Sequence, residues 1–227
     1  GADGTVDVTN VALSSGTLTA PSGSFLVSGD WTKSGGTFTP GSNTVTFDGA
    51  GTQQVTSDSA GFHHVSHNAG GTITLQDAFS AAGTLTNSAG IFDANGKGVT
   101  VTGLTTVSGG EYKASTATQS LNGGLTVSGG IFTGSTGTVQ TTNVTLSSGT
   151  LTAPSTTLSV SGDWSKTGGG TFTHNGGTVS FTKTSGPQTL NSGGSSFATV
   201  DHNQAGTLQL VTNGLTTSGT FTNTTGD

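Results

Sequence analysis

The sequence predicts an all-β fold, a parallel β-helix (β-solenoid) with three short strands in each coil of about 20 residues. Three observations support this prediction: glycine-led words that recur about every 20 residues, a strand-favouring composition without helical periodicity, and a long internal repeat. We expect the 227 residues to form a single continuous solenoid over 1–227.

The short period is set by words that begin with glycine and carry a large side chain in the third position. GIFDA, GEYKA, GIFTG, GTLTA and GTFTH begin at residues 90, 110, 130, 149 and 170. Thr, Val, Ile and Phe favour strands, and Gly supplies the backbone angles that corners need. Each word therefore marks the same strand in successive coils.

The large side chains of these words predict the core. If they point inward and the coils stack about 4.8 Å apart, they form one continuous ladder along the solenoid. Such a ladder lets a chain with only 29% hydrophobic residues fold, because a thin coil needs few core side chains. The predicted ladder consists of Leu18, Phe38, Phe92, Tyr112, Phe132, Leu151 and Phe172.

A second, longer repeat overlies the coils. Residues 16–33 read GTLTAPSGSFLVSGDWTK, and residues 149–166 read GTLTAPSTTLSVSGDWSK, an offset of 133. The match indicates one copy over 1–133 and an incomplete second copy over 134–227. The intervals 36–71 and 170–206 break the 20-residue period, and they predict a long coil or an inserted hairpin in each copy.

Composition and charge argue against several classes of function. Charged residues make up 7% of the chain, with five Lys and no Arg, so the clustered positive charge typical of nucleic-acid binding is missing. No apolar run reaches the roughly 18 residues of a membrane span. The eleven acidic residues are scattered, which argues against the paired carboxylates of a polysaccharide-cleaving enzyme.

Two Asp-Trp pairs mark the same corner in both copies: Asp30 with Trp31, and Asp163 with Trp164. We interpret them as structural, with Trp closing a coil corner and Asp accepting hydrogen bonds from turn amides. The alternatives are a Trp that stacks on a sugar and an Asp that binds calcium.

The densest polar cluster is formed by His63, His64 and His67. Residues four apart on a strand lie about 13 Å apart, so we expect exposed strand histidines and no metal ligands. Glu111 and Lys113 are expected to form a surface ion pair. We predict no catalytic residue and no cofactor.

Thr-x-Thr words raise ice binding as an alternative function, because stacked coils would turn them into a regular array of hydroxyls. The words begin at Thr17, Thr37, Thr150 and Thr171. In the same register stand Ile91/Asp93, Glu111/Lys113 and Ile131/Thr133, which put charge and bulk into the array. We therefore expect this face to be interrupted, with another face remaining possible.

The stretches SGDWTKSGGTFTPGSNTVTFDGAGTQQV and FHHVSHNAGGTITLQDAFSAAGTLTNSAG, followed by GVTVTG, resemble the Gly/Thr-rich repeats of large secreted or surface-anchored bacterial β-solenoid proteins. More loosely, the chain is similar to autotransporter-passenger and filamentous-haemagglutinin segments. The resemblance implies a right-handed parallel β-helix that serves as an exported stalk, adhesin or fibre, extracellular or at the cell surface.

These observations together predict a non-enzymatic structural protein, a stiff fibre or adhesin shaft. Its expected partner is itself, through head-to-tail stacking or as neighbouring repeats of one long chain. Gly226 falls at the coil position of Gly90, and Gly1 at that of Gly134, so the two ends are nearly in phase. The alternatives are an ice-binding protein and an adhesin that binds surface glycans.

Overall fold

The computed structural model describes residues 4–225, which form a parallel β-solenoid of about eleven coils without a helix. Each coil passes through three faces, which we name A, B and C in chain order. Strands on one face pair in parallel with strands about 20 residues away, as Val99↔Gln119 and Gln119↔Val139 do on face C. The predicted all-β parallel solenoid with 20-residue coils is confirmed.

The strands of each face follow from the pairing register. Face A contains β1 (Val6–Val8), β4 (Phe25–Val27), β7 (Thr44–Phe47), β9 (His64–His67), β12 (Leu85–Asn87), β15 (Thr105–Val107), the first parts of β18 (Leu125–Thr133) and β20 (Val144–Thr152), β22 (Trp164–Lys166), β25 (Pro187–Asn191) and β28 (Thr207–Leu210). Face B contains β2 (Val11–Leu13), β5 (Trp31–Lys33), β8 (Thr52–Thr56), β10 (Thr72–Leu75), β13 (Ile91–Asp93), β16 (Glu111–Lys113), the last parts of β18 and β20, β23 (Thr171–Thr173), β26 (Ser196–Phe197) and β29 (Thr216–Thr217). Face C contains β3 (Thr17–Thr19), β6 (Thr37–Thr39), β11 (Phe79–Ala81), β14 (Val99–Val101), β17 (Gln119–Leu121), β19 (Val139–Thr141), β21 (Thr157–Val160), β24 (Thr178–Phe181), β27 (Thr199–His202) and β30 (Phe221–Asn223).

One ladder of inward side chains runs through all eleven coils on face A. Alternate residues of a strand point to opposite sides of the sheet, so each strand places one residue in the inward ladder while the residues next to it face out. The backbone of neighbouring coils also comes close together at the corners. Gly110, just before β16 of face B, has φ +59°, and a Cβ there would overlap the main-chain oxygen of Gly90 in the preceding coil. The ladder is Val6, Phe25, Val45, Val65, Leu85, Thr105, Leu125, Val144, Trp164, Leu190 and Leu210.

Face B carries a stack of aromatic rings. Phe92, Tyr112 and Phe132 lie in consecutive coils, with ring centroids 5.1 and 5.0 Å apart and planes inclined by 22° and 16°. Leu151 and Phe172 continue this ladder toward the C-terminus. The first four of these side chains are fully buried, whereas Phe172 is half-buried.

The expectation of one continuous word ladder is wrong in one respect. Leu18 and Phe38 pair with each other on face C, whereas the other five predicted residues lie on face B. Phe38 is buried and Leu18, in the first coil, is half-buried. The words thus change face between Phe38 and Phe92, and the seven residues form two ladders.

The predicted long coil or inserted hairpin is also wrong. Gly36 precedes β6 on face C, whereas Gly71 precedes β10 on face B. From face C the chain makes one full coil back to face C and then crosses faces A and B, which accounts for the 35 residues. Across it, Val45 pairs with Val65 on face A at the ordinary spacing of 20 residues. On face B the spacing between paired residues rises only from 20 to 24, since Val11 pairs with Trp31 and Trp31 pairs with Val55. The interval 170–206 likewise covers one coil and two further faces, from β23 on face B to β28 on face A.

The two copies of the long repeat are rotated relative to each other by one face. Trp31 lies on face B between Val11 and Val55, whereas its counterpart Trp164 lies on face A between Val144 and Leu190. The offset of 133 residues, divided by a coil of 20, is about six and two-thirds coils. Equivalent segments therefore repeat in sequence without repeating on the same face.

Candidate functional site: corners, faces and ends

The Asp-Trp corners form the same hydrogen-bond chain in both copies. Asn10 Oδ1 accepts a hydrogen bond of 2.7 Å from the amide of Asp30, and Asp30 Oδ1 accepts one of 2.8 Å from the amide of Gln54. The second copy repeats both bonds: Asn143 Oδ1 accepts from the amide of Asp163, and Asp163 Oδ1 accepts from the amide of Thr189. Each carboxylate thus links its corner to the next coil.

The two tryptophans lie inside the core. Trp31 and Trp164 are 0% and 1% exposed, so neither is available to stack on a bound sugar. Trp31 contacts the ring of Phe38 with centroids 4.8 Å apart, and Trp164 contacts Phe172 at 4.9 Å. These edge-on contacts stabilise the coil beyond the area they bury. The arrangement agrees with the structural interpretation of the corner and contradicts the sugar-stacking alternative.

A buried glutamine lies beside each corner and was not predicted from the sequence. The Nε2 group of Gln53 donates to the carbonyls of Val27 and Gly29 at 2.8 and 2.7 Å, and its Oε1 accepts from the amide of Gly49. Gln188 holds the same position in the second copy and bonds to the carbonyls of two neighbouring corner residues. The sequence signal was a glutamine two residues before a buried apolar residue in both copies, Gln53 before Val55 and Gln188 before Leu190.

The three histidines of the first copy do not converge. His67 points into the core, where its Nδ1 lies 2.7 Å from Asn87 Oδ1. His64 points outward and contacts Thr84 Oγ1 at 2.9 Å, with the His63 ring beside it. Burial lowers the pKa of both His64 and His67, and the nearby His63 lowers the pKa of His64 further. The expectation of exposed histidines is therefore wrong for His67.

The tautomer of His67 follows from its partner. The amide nitrogen of Asn87 donates to the carbonyls of Gly109 and Glu111 at 3.2 and 3.1 Å, so its Oδ1 faces the ring. The Nδ1 atom of His67 must then carry the proton. Its Nε2 atom is buried without a hydrogen-bond partner among the described residues. Protonation there would bury an unpaired donor, which is costly.

The outer side of face B is interrupted by charge, as the register predicts. Ile91, Glu111 and Ile131 lie one above the other, and Asp93 pairs in register with Lys113. The ion pair joins Lys113 to Asp93 of the neighbouring coil at 3.0 Å, and not to Glu111, which accepts a hydrogen bond from Thr133. The predicted pairing of Glu111 with Lys113 is therefore wrong in its partner.

Face A presents a column of hydroxyls that sequence analysis did not identify. Seven successive coils place a Ser or Thr in the middle of the outer side, without a charged residue in that column. Each pairs in register with the next, and all are half-exposed. The column consists of Thr46, Ser66, Thr86, Thr106, Thr126, Thr145 and Ser165.

Both ends of the described solenoid expose apolar side chains. At the first coil, which we call the head, a hollow of about 320 Å³ opens onto the core. At the last coil, which we call the tail, Leu210 and Phe221 are each 46% exposed. The apolar lining of the head hollow consists of Val6, Val8, Val11, Ala12, Leu13, Leu18 and Phe25.

Among residues 4–225, no group of three or more His, Cys, Asp or Glu side chains is placed to hold a metal ion. No helix in this part of the chain is long and apolar enough to cross a membrane. Comparison of the chain with protein-family models, curated proteins and solved structures finds no match.

Proposed function

We propose that this protein is a structural element, a stiff extracellular shaft or fibre of the kind that carries a surface adhesin. The observation that supports this best is the unbroken ladder from Val6 to Leu210, which links every coil to the next through one side of the core. A chain with few charges and a Ser/Thr surface needs no catalytic centre for this role.

The main-chain hydrogen bonds provide the stiffness. They run between coils, along the axis, as from the Val11 amide to the Asp30 carbonyl at 2.9 Å and from the Leu85 amide to the Leu104 carbonyl at 3.1 Å. Bending the rod would stretch these bonds on one side and compress the stacked side chains on the other. Because such interiors are close-packed, they resist this distortion.

The rod shape can be tested by small-angle X-ray scattering at low concentration, together with negative-stain electron microscopy. Eleven coils at about 4.8 Å predict a particle about 50 Å long with a uniform cross-section. Longer particles should keep the same width and have lengths in whole multiples of this value. Scattering typical of a flexible chain, or a width that varies along the particle, would overturn the proposal.

Ice binding is the second candidate, and the hydroxyl column of face A supports it. An uncharged, evenly spaced array of hydroxyls offers hydrogen bonds to an ordered, uncharged lattice such as ice. Thr106→Lys would place a charge in the middle of that column, and Thr152→Lys would place one on face B as a matched control. We expect only Thr106→Lys to abolish inhibition of ice growth. A wild-type chain without any effect on ice growth would exclude this function.

A further inference from the structure

We propose that a hollow at the corner between faces C and A binds one ring of a neutral sugar, held by the side-chain amides of Asn122 and Gln140. The hollow lies on the side of the rod, with described coils before and after it. The inference goes beyond the proposed shaft, because the rod itself then binds a glycan. The shaft function does not depend on this site.

The size and lining of the hollow fit a small uncharged ligand. Its volume is about 260 Å³, and none of the residues that line it is charged. Pockets for drug-sized ligands have roughly 300–1,000 Å³, so this one suits a smaller ligand such as a single sugar ring. The lining consists of Asn122, Gln140, Thr141, Thr142, Ser159 and Ser161.

The order of large and small side chains creates this space. On the outer side of face C, Gln140 pairs in register with Ser120 and with Ser159. A long side chain between two short ones is free to turn toward either neighbouring coil. Two glycines follow Asn122 in the chain, and they have no side chains to fill the corner beside it.

Polar groups in the hollow are available to a ligand. The side chains of Asn122, Gln140 and Thr142 make no hydrogen bond to another residue of the described range 4–225. A side-chain amide offers two donors and one carbonyl acceptor, and a hydroxyl is both a donor and an acceptor. Sugar hydroxyls have the same double character, so these groups can pair with them in both directions. The uncharged lining favours a neutral sugar over a carboxylate or a phosphate.

The main chain beneath the hollow is held by hydrogen bonds between coils. The amide of Asn122 donates to the carbonyl of Val101 at 2.8 Å, and the amide of Ser161 donates to the carbonyl of Thr141 at 3.0 Å. A site that is fixed before binding loses less conformational freedom when the ligand arrives. The corner therefore presents its amides and hydroxyls in a set arrangement.

An exposed leucine next to the hollow can contact the apolar face of a sugar ring. Leu104 is 40% exposed. A Cβ on Gly124 would lie 3.4 Å from Leu104 Cδ1 and 3.5 Å from Thr142 Oγ1, so the leucine and the threonine lie on two sides of one gap. The C–H groups of the sugar would pack on Leu104 while its hydroxyls reach the amides.

The experiment titrates the isotope-labelled chain with the methyl glycosides of glucose, galactose, mannose and N-acetylglucosamine, and follows the side-chain amide signals by NMR. We expect at least one glycoside to shift the signals of Asn122 and Gln140, with a dissociation constant in the millimolar range because the ligand is small. Methyl glucuronide carries a carboxylate and should bind more weakly. No shift with any neutral glycoside, or tighter binding of the glucuronide, would overturn the inference.

A matched pair of substitutions locates the binding site. Gln140→Ala removes an amide from the hollow and should weaken binding of the glycoside at least tenfold. Gln54→Ala removes an exposed glutamine from β8 on face B and should leave the binding unchanged. Circular dichroism of both variants checks that the coils stay folded. Equal binding by the two variants would place the sugar elsewhere and overturn the inference.

The outcomes separate the sugar site from the shaft. A chain that scatters as a rod about 50 Å long but binds none of the glycosides keeps the proposed shaft and loses the site. A chain that binds a glycoside through Asn122 and Gln140 without rod-like scattering keeps the site and loses the shaft.

Discussion

Phe132→Ala tests the ladder of face B, because Phe132 is fully buried between Tyr112 and Leu151. Loss of the buried ring costs about 2 kcal/mol in transfer free energy. A residual cavity of roughly 100 Å³, at about 24 cal/mol per Å³, adds about 2.4 kcal/mol. We therefore expect the free energy of unfolding to fall by about 4 kcal/mol, measured by urea denaturation followed by circular dichroism.

Two controls make this result specific. Phe172→Ala removes the same ring from the same ladder, but Phe172 is half-buried and should cost about half as much. Ile131→Ala changes the exposed neighbour of Phe132 and should cost less than about 1 kcal/mol. A change below about 0.5 kcal/mol for Phe132→Ala, or equality with Ile131→Ala, would refute the inward assignment.

Three further predictions concern polar groups. Burial lowers the pKa of His67, and the hydrogen bond to Asn87 only partly offsets this. The fold thus favours the neutral ring, so its contribution is complete above the unfolded pKa of about 6.5 and declines as the pH falls below it. Thermal unfolding from about pH 7.5 to 5 should show this slope, and His67→Leu should flatten it; an unchanged slope would contradict the assignment. Gln53→Leu leaves three main-chain groups unpaired and should cost about 2–4 kcal/mol in chemical denaturation, whereas the exposed Gln54→Leu should stay within about 0.5. Asp30→Ala should cost about 1 kcal/mol by loss of its amide hydrogen bond, Asp30→Asn should retain most of it, and a chelator should leave the Tm of the wild type unchanged; a lower Tm would indicate a calcium site.

The sequence was sufficient to predict the coil and much of its register. The words from Gly90 to Gly170 stay on face B, so their spacing equals the coil length and their large residues stack as expected. The same register predicted that Ile91, Glu111 and Ile131 would lie one above the other. A repeated sequence word predicts the position of a residue within the coil as long as every copy of the word lies on the same face.

The change of face could not be predicted from word spacing, because corners exchange length with one another. Four residues more separate Val45 from Val55 than separate Phe25 from Trp31, whereas the corner from face C back to face A, from Phe62 to Val65, is four residues shorter than the one from Phe38 to Val45. The total coil length hardly changes, so the 35-residue interval from Gly36 to Gly71 is one coil and two further faces and contains no inserted segment. Only the pairing register distinguishes this exchange from an inserted hairpin.

The inward orientation of His67 also depended on tertiary structure. Strand alternation puts His67 on the same side as Val65, but only the pairing register shows that a corner separates Phe62 on face C from Val65 on face A, so that both point inward. Its partner Asn87 lies one coil away, 20 residues along the chain. A polar pair of this kind is visible in sequence only after the coil register is known.

The rotation of the long repeat by one face has a consequence for the surface of the rod. The strand that pairs with the one carrying the tryptophan is β8 on face B in the first copy and β25 on face A in the second. Outward side chains that the two copies share are therefore presented in two directions, about a third of a turn apart. A repeat of a whole number of coils would instead present them all on one side.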